Sequence, residues 1–399
     1  MLTTLVERLL RRAIRWSTFL GSSPFIWNYR NSNVSLSVRS IKKFKRFVAY
    51  QLFSTSLVIL RVTFNLRNQG DVHKHKVGSL LALANTMWSL FAVNMFFRYE
   101  RYGSMLNGFL KFARQVQFEF QKPVSPTLKN KKTRFKFPTK LELLLMYLTL
   151  LSITFPLLIS THVLFSPSSL SHASSMAPKE FQKLAAFPFL LVQCWAFLAS
   201  CSLMLIHSFS NILMGSVTLK LVSLELRPEQ FTAKKKAPGL TILAGKDEIS
   251  RAQNLRTMYR SLQIILNEMN SVIYWIAYPL EFLISKFCIL CAVILIRFCP
   301  LLQPWERGMI SLFLWGTGFI WLSMLQLGGS VFNQSKECTR TWKFFDWEKE
   351  RRVMGKFRRS SPSLKLKSGM FGFMKKIKVL KFLKGFFKKT MKTLVAFGK

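Results

Sequence analysis

Glu281 and Lys286 stand five residues apart in Ser271–Ile296, a run otherwise free of formal charge. Hydrocarbon does not solvate ions, so charges in such runs mark ion paths, relays or buried pairs. Five residues turn a helix by about 140°, which is poor geometry for pairing with each other. Each is expected to find a partner on another helix or in a water-filled cavity, and a structural pair and a pore or ligand role both stay open. A second charged feature is the tail MKKIKVLKFLKGFFKKTMKTLVAF, Met374 to Phe397, with eight lysines and no acid. Cys288 and Cys291 form a CxxC, but without a second pair or a neighbouring histidine it reads as packing and not as a zinc site. His73 and His75 in DVHKHK have too little carboxylate nearby to make a convincing metal site. No nucleophile motif, glycine-rich phosphate loop, zinc signature or paired-carboxylate site is present. No catalytic residue, metal ligand or cofactor is therefore assigned, and an enzyme is not expected.

The elements that position these residues follow from composition. Half of the 399 residues are hydrophobic, 38 are phenylalanine, and the net charge is +42. The apolar residues form long blocks with the charges between them. This is the pattern of a multi-span membrane protein and not of a nucleic-acid binder. The cysteines lie mostly within apolar blocks and suggest no extracellular disulfide framework. The N-terminus has no apolar core of signal-peptide type, and its arginines fit a short basic amphipathic helix.

About 20 apolar residues cross the hydrocarbon core. Spans are predicted at Phe47–Phe64, Val77–Phe97, Leu143–Phe165, Leu184–Leu219, Ser271–Ile296 and Met309–Phe332. The fourth is long enough to be one tilted helix projecting beyond the bilayer. From the N-terminus through successive connections to the C-terminus, the Lys and Arg counts are 10, 3, 11, 2, 9, 2 and 20. That alternation predicts a cytoplasmic N-terminus. The sequons at Asn33 and Asn333 then fall on the inner side, and neither is expected to carry a glycan. Leu255, Met258, Leu262, Ile265 and Met269 recur at helical spacing just before the fifth span, predicting one long helix that rises from the cytoplasm into the membrane.

The expected organisation is an all-α membrane protein of six to seven spans. Residues 1–46 form a basic cytoplasmic segment, 47–219 the first four spans and 220–270 a cytoplasmic loop and helix. Residues 271–332 form the fifth and sixth spans, 333–368 a cytoplasmic anchor segment, and 369–399 the last helix. On a helical wheel, Lys378, Lys381, Lys384, Lys388, Lys389 and Lys392 of that helix gather opposite Val379, Phe382, Leu383, Phe386, Phe387, Leu394 and Phe397. Each lysine facing mid-bilayer hydrocarbon costs about 2.5–3.5 kcal/mol, which excludes a lipid-facing span. Two placements survive. The helix lies on the inner membrane surface, where each lysine contributes roughly 1 kcal/mol beside anionic lipid. Alternatively it spans, with its lysine face toward water at an oligomer axis, where lysines repel cations and favour anions.

The layout resembles the insect gustatory and odorant receptor superfamily. The resemblance rests on the order of spans, on LRTMYRSLQIILNEMN (Leu255–Asn270), and on Trp342 with SSPSLKLKSGMFGFM (Ser360–Met374) before a last span. It implies a tetrameric ligand-gated cation channel in the plasma membrane, with seven helices per subunit, a cytoplasmic anchor and a pore lined by the last helix. The gustatory branch ends with Thr-Tyr, apolar residues and Gln-Phe. Here TMKTLVAF, Thr390–Phe397, keeps the Thr and the closing Phe but lacks the Tyr and Gln. Glu281, Lys286, Thr390 and Thr393 are the pore or gating candidates. A small organic ligand is implied in an aromatic pocket of the outer half, with Trp88, Phe155, His162, Phe189, Gln193, Trp195, Trp315 and Phe319 as candidate contacts. Expected partners are the lipid bilayer and the same or related subunits in a tetramer, with no nucleic acid. The competing function is a six-span transporter or lipid-interacting protein with a basic surface tail.

Overall fold

The computed structural model describes residues 4–69, 72–120, 139–165, 178–227, 252–344, 350–367 and 372–396. The basic loop segment LKNKKTRFK and most of RPEQFTAKKKAPGLTILAGKDE lie outside them. Helix α1 (Thr4–Leu20) leads to a hairpin, β1 (Phe25–Asn28) and β2 (Asn33–Leu36), paired antiparallel with Phe25 opposite Leu36. Then come α2 (Val38–Gln69), α3 (Val72–Phe120), α4 (Lys140–Phe165) and α5 (Gln182–Lys220). The chain continues through α6 (Ala252–Arg297), α7 (Pro304–Thr341), the short α8 (Arg351–Ser360) and α9 (Ile377–Ala396). We call the Ala252 end of α6 basal and its Arg297 end apical.

Six helices, α2 to α7, are long and apolar enough to cross a membrane, and each contains one predicted span. Their outward faces carry Phe53, Leu60, Leu150, Leu157 and Trp315, an apolar surface suited to lipid. Local chemistry sets their starts: α4 opens with Thr139 and Glu142, the Thr139 backbone N–H donating to Glu142 Oε2 at 2.6 Å. Helix α3 breaks its regular geometry at Arg98, whose guanidinium donates to the Ser271 carbonyl of α6 and lies over the rings of Tyr274 and Trp275. Helix α6 is one element of 46 residues with Pro279 inside it, and all five residues of the apolar stripe are buried. The hairpin was not anticipated from sequence. Asn107 of α3 fixes it, accepting from Val34 N–H at 2.8 Å and donating to Val34 O at 2.7 Å.

At the basal end, Trp342 is almost fully buried. It stacks on Phe357 of α8 with centroids 5.7 Å apart and meets Tyr259 of α6 edge-on at 5.0 Å. Its indole N–H donates to the Leu226 carbonyl at 3.0 Å. From α8 the chain climbs α6 toward the apical end. Tyr259 OH donates to Pro362 O at 2.9 Å, and Asn270 bonds both Lys365 O and Lys367 N at 2.8 Å. Next it crosses α7 at Gly328 and Gly329. A Cβ on Gly329 would stand 2.8 Å from Lys375 C and Lys376 Cα, with backbone as the obstacle. Only glycine permits this approach.

Gly329→Ala should therefore shift the entry into α9 and lower thermal stability, by about 1–3 kcal/mol for overpacking. Gly308→Ala, with nothing within 4 Å of the added atom, should leave it unchanged. Fluorescence-detected melting of the purified full chain checks both.

Candidate functional site

An internal cavity lies among α3, α4, α5, α6 and α7. Aromatic side chains form its wall: Trp88 and Phe91 come from α3, while Phe313 meets Phe155 at 5.0 Å and Phe287 at 5.8 Å. Met87, Met204 and Met324 complete much of the rest. The free volume is about 60 Å³, well below the 300–1,000 Å³ of sites that enclose a drug-sized ligand. A small organic molecule enters only if side chains move, and unbranched methionines adapt most readily. Ser208, Thr317 and Trp321 bring polar groups to the lining. Trp321 is buried, and its Nε1–H meets no acceptor among the described residues. An unsatisfied buried donor costs about 1–3 kcal/mol, which a ligand acceptor would offset.

Of the eight ligand candidates, Trp88 and Phe155 line this cavity. The others lie elsewhere. His162 packs on Trp305 near the apical end of α7, with ring centroids 4.9 Å apart. Trp195 donates to Leu20 O at 3.0 Å and packs on Phe47 and Tyr50, fastening α5 to α1 and α2. Phe189 is exposed on α5, and Gln193 is partly buried one turn further on. Trp315 and Phe319 point outward from α7, the latter onto Tyr147. Sequence reasoning missed Phe287, Phe313 and Trp321. One usable signal was Gly316, where a Cβ would come 2.8 Å from Phe155 Cζ, a close approach that marks the inward face of α7.

The charged candidates separate. Glu281 Oε2 pairs with Lys378 Nζ of α9 at 3.6 Å, joining the fifth span to the last helix. Lys286 is exposed with its ammonium over the Phe282 ring at 5.5 Å. Thr390 is buried against the body with no hydrogen-bond partner for Oγ1 among the described residues, while Thr393 donates back to Lys389 O. Val379, Phe382 and Phe386 of α9 pack against the main core. Cys288 and Cys291 are buried free thiols, and His73 and His75 fall in the first turn of α3.

Comparison with solved structures shows what this arrangement is. The chain has the fold of an insect olfactory receptor. It superposes on olfactory receptor OR5 from Machilis hrabei with a TM-score of 0.65, at 10% identity, over 98% of this chain and 97% of that one. The same receptor in complex with eugenol matches at 11% identity and the same TM-score. No protein-family model and no curated protein matches the sequence. The olfactory-receptor fold and the six apolar helices make this a multi-pass membrane protein.

The Glu281–Lys378 contact yields a test. Glu281→Lys or Lys378→Glu alone places like charges together between α6 and α9 and should lower the melting temperature. The exchanged pair, Glu281→Lys with Lys378→Glu, should recover part of the loss in a double-mutant cycle.

Proposed function

We propose that the chain is a chemosensory receptor of the plasma membrane that acts as a small-molecule-gated cation channel within an oligomer. The proposed cation-conducting assembly is a tetramer of this chain with related subunits. The observation that carries the proposal is a fold correspondence spanning nearly the whole of both chains, with a receptor solved both alone and with eugenol. Residues 220–270 and 333–368 are proposed to form the cytoplasmic anchor, with the N-terminus inside and α9 as the seventh, pore-lining span.

The cavity is the proposed ligand site, and a small, largely apolar molecule with one hydrogen-bond acceptor suits it. Its acceptor would take the Trp321 N–H while the methionines move aside and the wall closes around the ligand. The cavity wall includes Leu280 and Ile284 of α6, which flank Glu281, the partner of Lys378. Ligand binding that shifts this turn of α6 is thereby transmitted to α9, whose outward movement widens the pore. Glu281, Lys286, Thr390 and Thr393 belong to this pore and gating path in the proposal.

The sidedness of the C-terminus tests the reading. An epitope tag after Lys399 should be labelled in intact cells. Labelling only after permeabilisation would put α9 on the inner surface and favour the transporter or lipid-interacting alternative. For the ligand site, Trp321→Phe keeps the ring and removes the donor. It should weaken responses to acceptor-bearing ligands about tenfold while sparing purely apolar ones, read as ligand-evoked current.

A further inference from the structure

The fixed path of the chain before α9 sets the depth at which its lysines lie. Pro362 meets Tyr259, Lys365 and Lys367 meet Asn270, and Lys378 meets Glu281. The contacted residues of α6 step by three helical turns, about 16 Å, each time, so the chain climbs steadily toward the apical end. Helix α9 then continues against α6 and α7. Its packed face persists from Val379 through Phe382 and Phe386 to Thr390. It therefore runs beside the apical half of α6, Phe282–Ile296, where Lys286 is the single charge.

Lys381, Lys384, Lys388 and Lys392 are all exposed. At 100° per residue they fall within about 80° of arc, nearly opposite the packed face. They form a stripe about 16 Å long that points away from the subunit. Lysines at that depth do not stably face hydrocarbon. The stripe carries no acid, and no acidic residue follows Glu350 in the chain. Copies related by closed symmetry can bring such stripes around a common axis, where water and mobile anions solvate them.

We propose that the lysine stripe lines a water-filled path shared by copies of this chain, and that a homomeric assembly of it selects small inorganic anions such as chloride. The inference rests on the reading of α9 as a pore-lining span. Cation conduction then belongs to mixed assemblies with related subunits whose last helices lack the stripe. A ring of like charges concentrates counter-ions and excludes co-ions from a narrow path.

The test uses the full chain in cell membranes with Lys384→Cys, and separately Lys388→Cys. Each is reacted with anionic sulfonatoethyl or cationic trimethylammonioethyl methanethiosulfonate. Remaining thiol is read as a gel shift after denaturation and capture with a polyethylene-glycol maleimide, against the unsubstituted chain. Relative to the same two reagents on free cysteine, the rate ratio should move about tenfold toward the anionic reagent at both positions. Adding Lys381→Gln and Lys392→Gln should remove most of that preference. Reaction at both positions with no anionic preference would overturn the selectivity inference and leave the pore-lining reading standing. Failure of either reagent to react at both positions in permeabilised cells, with the protein correctly delivered to the surface, would overturn both.

Discussion

The side-chain amide of Asn270 is the fastening on which the apical half of the molecule depends. It donates to one backbone carbonyl and accepts from the N–H two residues later, behaving as a piece of strand offered by a helix. Residues 362–367 are not helical, so their backbone groups need such partners outside any helix ladder. Ser335 of α7 adds another, accepting from Leu364 N–H at 3.0 Å. With these bonds made, the chain arrives at Gly328 and Gly329 in one register, and α9 begins at a defined height. Without them, the Glu281–Lys378 pair and the packed face of α9 would have no common frame.

Polar groups recur between the spans in the same role. Thr55 and Ser89 are 2.7 Å apart, Ser200 donates to Gln51 Oε1 at 3.0 Å, and Gln51 reaches Asn85 at 3.4 Å. The chain of contacts links α2, α3 and α5 inside the apolar layer, where packing between helices is not driven by water and hydrogen bonds add specificity. Tyr102 of α3 reaches Ser210 of α5 in the same manner. The cavity lies among these fixed helices, and the adaptable methionines of its wall contrast with the bonded residues around it.

Much of this was legible in the sequence because hydropathy is a strong signal over 20 residues. Each predicted span lies within a helix, and the stripe from Leu255 to Met269 is buried along its whole length. What hydropathy hides is direction. Helices α4 and α7 are apolar on nearly every side within the membrane, so periodicity does not distinguish the face toward protein from the face toward lipid. Hence the sequence does not separate Trp315 and Phe319 from Phe313 and Trp321, and only the latter two line the cavity. Trp195 looked like a pocket aromatic because its hydrogen bond to Leu20 joins residues 175 positions apart, a contact no local pattern encodes. The hairpin escaped notice because four-residue strands carry too little pattern, and its partner Asn107 is distant in sequence.

Pro279 gives α6 a mechanical character of its own. A proline inside a helix removes the hydrogen bond to the carbonyl four residues earlier, here that of Trp275, and leaves a compliant turn. That turn immediately precedes Leu280 in the cavity wall and Glu281 at the contact with α9. The basal arm from Ala252 to Pro279 is about 40 Å long and the apical arm to Arg297 about 27 Å. A bend of about three degrees at the proline moves the basal tip by about 2 Å. At Tyr259, about 30 Å from the proline, the same bend amounts to about 1.6 Å, so a small change of angle beside the cavity would be felt where α6 meets Trp342 and Phe357.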